Sequence, residues 1–117
     1  MDNIPEQLRN DIQQLQSLQQ QLQSTMSQRQ QFELQLNEIE NALKEIEKAD
    51  DNTPIYRSIG AMLIRVKSRE DVKNELSEQK ELLNVRISSL KKQEEMLNGR
   101  ISPLAQRVTQ GLQRYSG

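Results

Sequence analysis

The segment Thr53–Ser68 reads T-P-I-Y-R-S-I-G-A-M-L-I-R-V-K-S and is the only part of the sequence that does not look helical. Pro54 fixes its own φ and lacks a backbone N–H, so a preceding helix must end before it. Two short runs rich in β-branched and large apolar residues follow, at Ile55–Ser58 and Met62–Val66. Between them, Ile59-Gly60 can make a tight reversal because glycine tolerates a positive φ. The segment therefore predicts a β-hairpin.

The predicted hairpin, within residues 53–67, needs more strands than this chain supplies. A lone two-stranded hairpin is only marginally stable in water. In the second run, alternation places Met62, Ile64 and Val66 on one face and Leu63 on the other. No other stretch of the sequence reads as a strand, so the chain cannot complete the sheet by itself.

The composition argues against a globular core and against most catalytic chemistry. Of the 117 residues only 33% are apolar, with one Phe and no Trp. The absence of both Cys and His excludes the usual zinc sites and the His- or Cys-based nucleophilic triads. A net charge of −1 gives no electrostatic case for binding nucleic acid or an anionic membrane. We expect no enzyme, no catalytic or metal-binding residues and no cofactor.

The sequence also shows no targeting signal and no membrane span. The longest apolar run, Ala61–Ile64, is far shorter than a membrane-spanning helix. The N-terminus M-D-N-I-P-E is acidic and polar, unlike a signal peptide. We therefore expect a soluble cytoplasmic protein built as one domain over residues 1–117.

Two arms with coiled-coil patterning flank the hairpin. The first, residues 5–49, repeats apolar residues at spacings of three and four, which is typical of a coiled-coil seam. The second, residues 69–115, begins after Ser68, which fits an N-cap. Its seam runs from Leu76 to Tyr115. The seam positions of the first arm are Leu15, Leu18, Leu22, Phe32, Leu36, Ile39, Leu43 and Ile46.

Two seams of equal length joined by a short hairpin predict a mainly α fold, a long antiparallel two-helix coiled coil. Pairing residues whose numbers sum to 119 places a-type positions opposite d-type positions and centres on Ile59-Gly60. A slip by one heptad stays open. Arg29 and Glu94 interrupt the seam close to each other, which predicts an ion pair that fixes register. The predicted pairs are Leu15 with Leu104, Leu18 with Ile101, Leu22 with Leu97, Phe32 with Ile87, Leu36 with Leu83, and Leu43 with Leu76.

The outer end of the second arm breaks the helical pattern. Gly99 and Pro103 lie inside it, and an internal proline costs a helix roughly 3 kcal/mol. Either the kink is tolerated without a role, or this end of the coil is a mobile tip. Ile12 and Leu112 fall beside the seam there, where two helices do not fully cover them. Such groups often mark a binding surface, although ordinary packing beside the seam is the alternative.

The hairpin P-I-Y-R-S-I-G-A-M-L-I-R-V between two coiled-coil arms resembles the prefoldin β-subunit family, in its archaeal form. The family's hairpin reads x-V/I-Y-K-x-x-G-x-x-L/I-V/I-x-V, and here Arg57 stands where Lys is common. The segment S-Q-R-Q-Q-F-E-L-Q-L-N-E also looks like the family's first helix. The matching hairpin positions are Ile55, Tyr56, Arg57, Gly60, Leu63, Ile64 and Val66.

This resemblance implies an ATP-independent holdase. In the family, two α and four β subunits join through their hairpins into a β-barrel platform that carries six coiled coils. The distal tips hold non-native client proteins and pass them to a group II chaperonin. The implied assembly residues are Ile55, Tyr56, Met62, Leu63, Ile64 and Val66. The implied client-binding residues are Leu8, Ile12, Leu15, Leu104, Val108 and Leu112.

A passive coiled-coil scaffold or spacer within a larger complex is the alternative function. The seam fits a spacer equally well, but a spacer needs only a polar turn where this sequence has two apolar strands. Suppression of client aggregation discriminates between the two functions, because a spacer has no reason to hold unfolded protein.

Overall fold

Residues 4–116 are described by the structure, a computed structural model of the chain. It contains helix α1 (Glu6–Lys48), strand β1 (Tyr56–Ile59), strand β2 (Met62–Arg65) and helix α2 (Arg69–Ser116). The helices hold 43 and 48 residues, so the fold is mainly α, and the two strands form one antiparallel sheet. The predicted architecture of two long helices joined by a single hairpin is confirmed.

Both helices begin as the sequence indicates. Glu6 in the first turn of α1 complements the positive end of the helix dipole. At the start of α2, the backbone N–H of Asp71 donates to the hydroxyl of Ser68 at 3.2 Å. Ser68 is therefore the N-cap of α2, as predicted.

Helix α2 continues through both residues that the sequence marks as helix breakers. Pro103 lies inside the helix and has no N–H to donate to the carbonyl of Gly99. Leu97 and Leu104, on either side of the missing hydrogen bond, are buried. Apolar packing on both sides therefore offsets the lost bond, and the described helix shows no break at this point.

The backbone contacts divide the chain into two compact units, each of which contains buried apolar residues. We call residues 4–30 with 88–116 the terminal unit, and residues 31–87 the hairpin unit. The interior of the terminal unit holds all six members of three predicted pairs: Leu15, Leu18, Leu22, Leu97, Ile101 and Leu104. In the hairpin unit the buried apolar residues are Ile46, Leu83 and Ile87. That the chain forms a single domain over residues 1–117 stays a prediction.

Two further contacts agree with the predicted register. In the terminal unit, Leu8 lies so close to Gly111 that an added Cβ at Gly111 would be 2.7 Å from Leu8 Cδ1, and their numbers also sum to 119. In the hairpin unit, the Arg86 guanidinium lies over the ring of Phe32 at 5.6 Å from its centroid, close to the predicted partner Ile87. The Arg86 cation therefore covers one face of the Phe32 ring, where it is attracted by the electrons of the ring.

Candidate functional site

The hairpin presents apolar side chains to solvent on both of its faces. Residues directly opposite each other across an antiparallel pair share a face. Tyr56 and Leu63 therefore lie on one face, and Ile59, Met62 and Ile64 lie on the other. All five are exposed, and Leu63 is 72% exposed. The cross-strand pairs are Tyr56–Arg65, Arg57–Ile64, Ser58–Leu63 and Ile59–Met62.

The turn of the hairpin lies one residue later than the sequence predicts. Ile59 is the last residue of β1 and pairs with Met62, so the two-residue turn is Gly60-Ala61. Gly60 has a φ of 59°, and Ala61 has no positive φ. This pattern fits a type II′ turn, which needs glycine at its first central position. The predicted turn at Ile59-Gly60 is therefore wrong, and Ile59 is an exposed strand residue that the sequence reading missed.

The six predicted assembly residues fall into an exposed group and a pair at the base of the hairpin. At the base, Ile55 and Val66 are half-buried, and the N–H of Val66 donates to the carbonyl of Ile55 at 2.8 Å. This bond extends the strand pairing beyond the two strands. The role of all six residues in assembly stays a prediction. The exposed group is Tyr56, Met62, Leu63 and Ile64.

An ion pair holds the hairpin against the first turns of α2. The Arg57 guanidinium donates from Nη1 to Glu75 Oε1 at 3.1 Å and from Nη2 to Oε2 at 2.5 Å. These hydrogen bonds raise the pKa of Arg57 and lower the pKa of the Glu75 carboxyl. The planar fork of the Arg57 guanidinium makes this two-bond contact possible.

A second set of contacts closes the end of α1 that leads into the hairpin. Nη2 of Arg69 donates to the carbonyl of Ile46 and, at 2.7 Å, to the carbonyl of Ala49. Carbonyls in the last turn of a helix have no partner within it, so Arg69 caps α1 from the other helix. Nearby, Lys73 pairs with Glu47 at 2.6 Å, which lowers the pKa of the Glu47 carboxyl.

The six predicted client-binding residues divide between covered and exposed positions in the terminal unit. Three of the six occupy seam positions that face the opposite helix, and these three are buried. Ile12 and Leu15 are half-buried. Leu112, beside the seam, is 43% exposed, and the role of all six stays a prediction. The buried three are Leu8, Leu104 and Val108.

A buried carboxylate near the helix ends is a feature that the sequence reading missed. Asp11 accepts from Nε and Nη2 of Arg107 at 3.0 and 2.8 Å, and from the side-chain amide of Gln7 at 2.9 Å. The Arg107 hydrogen bond is the largest influence and holds the pKa of Asp11 below its ordinary value. The heptad pattern could have identified this residue, because it places Asp11 in a seam position one turn before Leu15.

The predicted ion pair between Arg29 and Glu94 is confirmed. Arg29 donates from Nε to Glu94 Oε2 at 2.5 Å and from Nη2 to Oε1 at 3.1 Å. Both side chains are less than one-fifth exposed, so the pair lies largely within the seam. Thr25, one turn away on α1, turns its hydroxyl to the carbonyl of Gln21 at 2.8 Å and is also buried.

Residues 4–116 contain no group of three or more acidic side chains that could hold a metal. Within the same range, neither helix has a stretch apolar enough to cross a membrane.

The comparisons with known proteins agree on one family. Its sequence model, described as prefoldin subunit, matches residues 9–115. The prefoldin β subunit of Thermoplasma acidophilum is 50% identical over 44 residues, which is 38% of this chain and 36% of that protein. The β subunit of Archaeoglobus fulgidus is 46% identical over 44 residues, or 38% and 37% of the two chains. The matched segment thus spans just over a third of the length of these curated relatives.

Solved structures match over much more of the chain. The crystal structure of the prefoldin β subunit from Thermococcus strain KS-1 superposes with a TM-score of 0.82 at 36% identity, covering 96% of this chain and 97% of that one. The β2 subunit from the same strain gives a TM-score of 0.68 at 24% identity and covers 77% and 95%. The β2 match bears on the fold alone.

Proposed function

Since the chain belongs to the prefoldin family, we propose that it is a β-type subunit of an ATP-independent holdase. The family consists of chaperone components and not enzymes. In our proposal two α and four β subunits assemble in the cytoplasm, and each chain acts as one domain over residues 1–117. The complex binds non-native proteins at the ends of its coiled coils and delivers them to a group II chaperonin.

The observation that carries this proposal is the hairpin, which is apolar and exposed on both faces. A single pair of strands is marginal in water, and its free edges can pair with strands of another chain. Strands from neighbouring subunits would cover the exposed side chains and complete the sheet into a β-barrel platform. We propose that assembly uses Ile59 in addition to the six predicted residues Ile55, Tyr56, Met62, Leu63, Ile64 and Val66.

Client binding at the helix ends is supported by a mixture of exposed and covered apolar groups. Leu112 and Tyr115 are 43% and 42% exposed in the last turns of α2. The buried members of the predicted cluster become available only when these last turns open, and helix ends are the parts of a fold that open at least cost. Weak contacts at several ends of one complex would add through multivalency.

The proposal is tested by the aggregation of a denatured client in the presence of the complex formed with an α-type subunit. We expect suppression without ATP. The double variant Leu112→Ser/Tyr115→Ser removes exposed apolar groups only, so we expect an intact complex that suppresses aggregation less. The control is Leu34→Ser, which removes a more exposed leucine, 64% exposed, from the outer face of α1 in the hairpin unit.

Two outcomes separate the proposal from its alternative. If the double variant suppresses aggregation as well as the control does, clients do not bind at the helix ends. If no client is held back by any form of the complex, the chain acts as a spacer and the holdase function is wrong.

A further inference from the structure

An open cleft of about 440 Å³ lies between the first turns of α1 and the last turns of α2 in the terminal unit. This volume falls within the range of small binding pockets, roughly 300–1,000 Å³. Pro5, Leu8 and Tyr115 supply apolar surface to its lining. The cleft is therefore large enough for one or two apolar side chains of an extended peptide.

The depth of the cleft depends on Gly111. An added Cβ at this position would lie 2.7 Å from Leu8 Cδ1, and Leu8 is buried. The missing side chain therefore lets Leu8 pack directly against the backbone of α2. Leu8 then forms part of the lining of the cleft instead of projecting across it.

The lining of the cleft carries more positive than negative charge. Among residues 4–116, Asp11 is the one acidic residue of the lining, and both of its carboxylate oxygens accept from Arg107. Arg107 is itself 61% exposed along its side chain. Arg114, the second arginine of the lining, makes no ion pair within residues 4–116. From Arg100 to Ser116, α2 contains three arginines and no acidic residue.

We propose that this cleft binds acidic-apolar segments of unfolded clients, in which a large apolar side chain lies within a few residues of Asp or Glu. The apolar side chain occupies the surface around Leu8 and Tyr115, and the carboxylate pairs with the guanidinium of Arg114. This selectivity rests on the proposed holdase function and gives it a preferred class of client sequence.

The test uses the isotope-labelled full-length chain and two peptide probes of equal length. Both peptides carry the same central Leu-Phe pair, flanked by Glu in one and by Gln in the other. Dissociation constants come from the backbone amide shifts of Gly111 and its neighbours. We expect the Glu peptide to bind roughly two- to fivefold more tightly, the size of a solvent-exposed ion pair. Added salt should remove the difference.

Arg114→Gln should abolish this preference and leave the melting temperature unchanged. The matched control is Arg100→Gln, which removes the same charge from the same helix outside the cleft and should keep the preference. Equal binding of the two peptides to the wild-type chain overturns the proposal, as does an equal effect of both variants. Equally tight binding of a short oligonucleotide also overturns it, because the cleft would then be a general polyanion site.

Both peptides are also added to the complex of the aggregation assay, which separates this proposal from the holdase function. A complex that suppresses aggregation of clients but binds both peptides equally keeps the proposed function and loses only the acidic preference. A complex that neither suppresses aggregation nor binds either peptide overturns both.

Discussion

Two glycines of α2 occupy the same kind of backbone and have opposite surroundings. At Gly99 an added Cβ would meet nothing within 4 Å, whereas at Gly111 it would lie 2.7 Å from Leu8 Cδ1. Glycine inside a helix lowers stability relative to alanine because the unfolded chain loses more freedom on folding. Gly99 carries that cost without a packing role, and Gly111 offsets it by admitting Leu8.

Gly99→Ala should therefore stabilise the chain by about 0.5–1 kcal/mol, the usual difference in helix propensity. Gly111→Ala should give no gain, because the buried Leu8 must move to make room. Chemical denaturation of the two variants measures both effects. Equal stabilisation by the two substitutions would contradict the close packing of Leu8 on Gly111.

The Arg29–Glu94 pair places two charges within the mainly apolar seam. Arg29→Leu leaves the Glu94 carboxylate largely covered and without these two hydrogen bonds, so we expect a loss of about 1–3 kcal/mol. Arg29→Leu/Glu94→Leu should recover that loss, because a well-packed apolar pair often replaces a buried ion pair at no cost. Denaturation of the single and double variants measures the difference. A double variant as unstable as the single one would contradict this account of the pair.

The Asp11–Arg107 pair makes stability depend on pH. Arg107 lowers the pKa of Asp11 below its ordinary value of 3.8, so the unfolded chain binds more protons than the folded chain near that pH. The contribution of the pair is complete above the ordinary pKa and is lost as pH falls through the lowered pKa.

The melting temperature should therefore fall less steeply below about pH 4 in Asp11→Asn than in the wild-type chain. Arg107→Gln should flatten the slope similarly. Some slope should stay in both variants, because the pKa values of Glu47 and Glu75 are also lowered. Unchanged slopes in both variants would show that the pair does not couple folding to protonation.

At the scale of the element, the hairpin is short, exposed and held at its base. The Arg57–Glu75 ion pair fixes the hairpin to the start of α2. The hydrogen bond from Val66 to Ile55 extends the strand pairing at the base of the hairpin. All eight residues of its two strands are exposed within residues 4–116. The strands therefore gain most of their apolar burial only when another chain pairs with them.

Ile59→Lys should weaken assembly without unfolding the helices. Burying an isoleucine side chain stabilises an assembly by about 2 kcal/mol. With lysine at position 59, this stabilisation would be absent from every copy of the chain in the complex. Leu34→Lys is the matched control, since Leu34 is 64% exposed against 54% for Ile59 and lies on a helix. Native mass measurement of the complex and circular dichroism of the chain report the two effects. Equal loss of assembly in both variants would point to added charge rather than to the strand face.

At the scale of the whole molecule, periodic apolar spacing was enough to predict the two helices, and Pro54, Gly60 and two short apolar runs were enough to predict the hairpin between them. The sequence pattern did not locate the turn correctly. In a type II′ turn glycine occupies the first of the two central positions, so the turn is Gly60-Ala61 and Ile59 belongs to the strand. The sequence also left open whether the kink at Pro103 is tolerated without a role or marks a mobile tip, because the outcome depends on packing around the lost hydrogen bond. Contacts between residues distant in sequence, such as Arg69 with Ala49, have no local pattern to reveal them.

The central claim is that the exposed hairpin joins this chain to other prefoldin subunits. Native mass measurement of the chain mixed with an α-type subunit tests this claim most directly. The account predicts one complex that contains two α chains and four copies of this chain. A mixture in which the two chains stay apart at every ratio, with this chain no larger than a dimer, would contradict it.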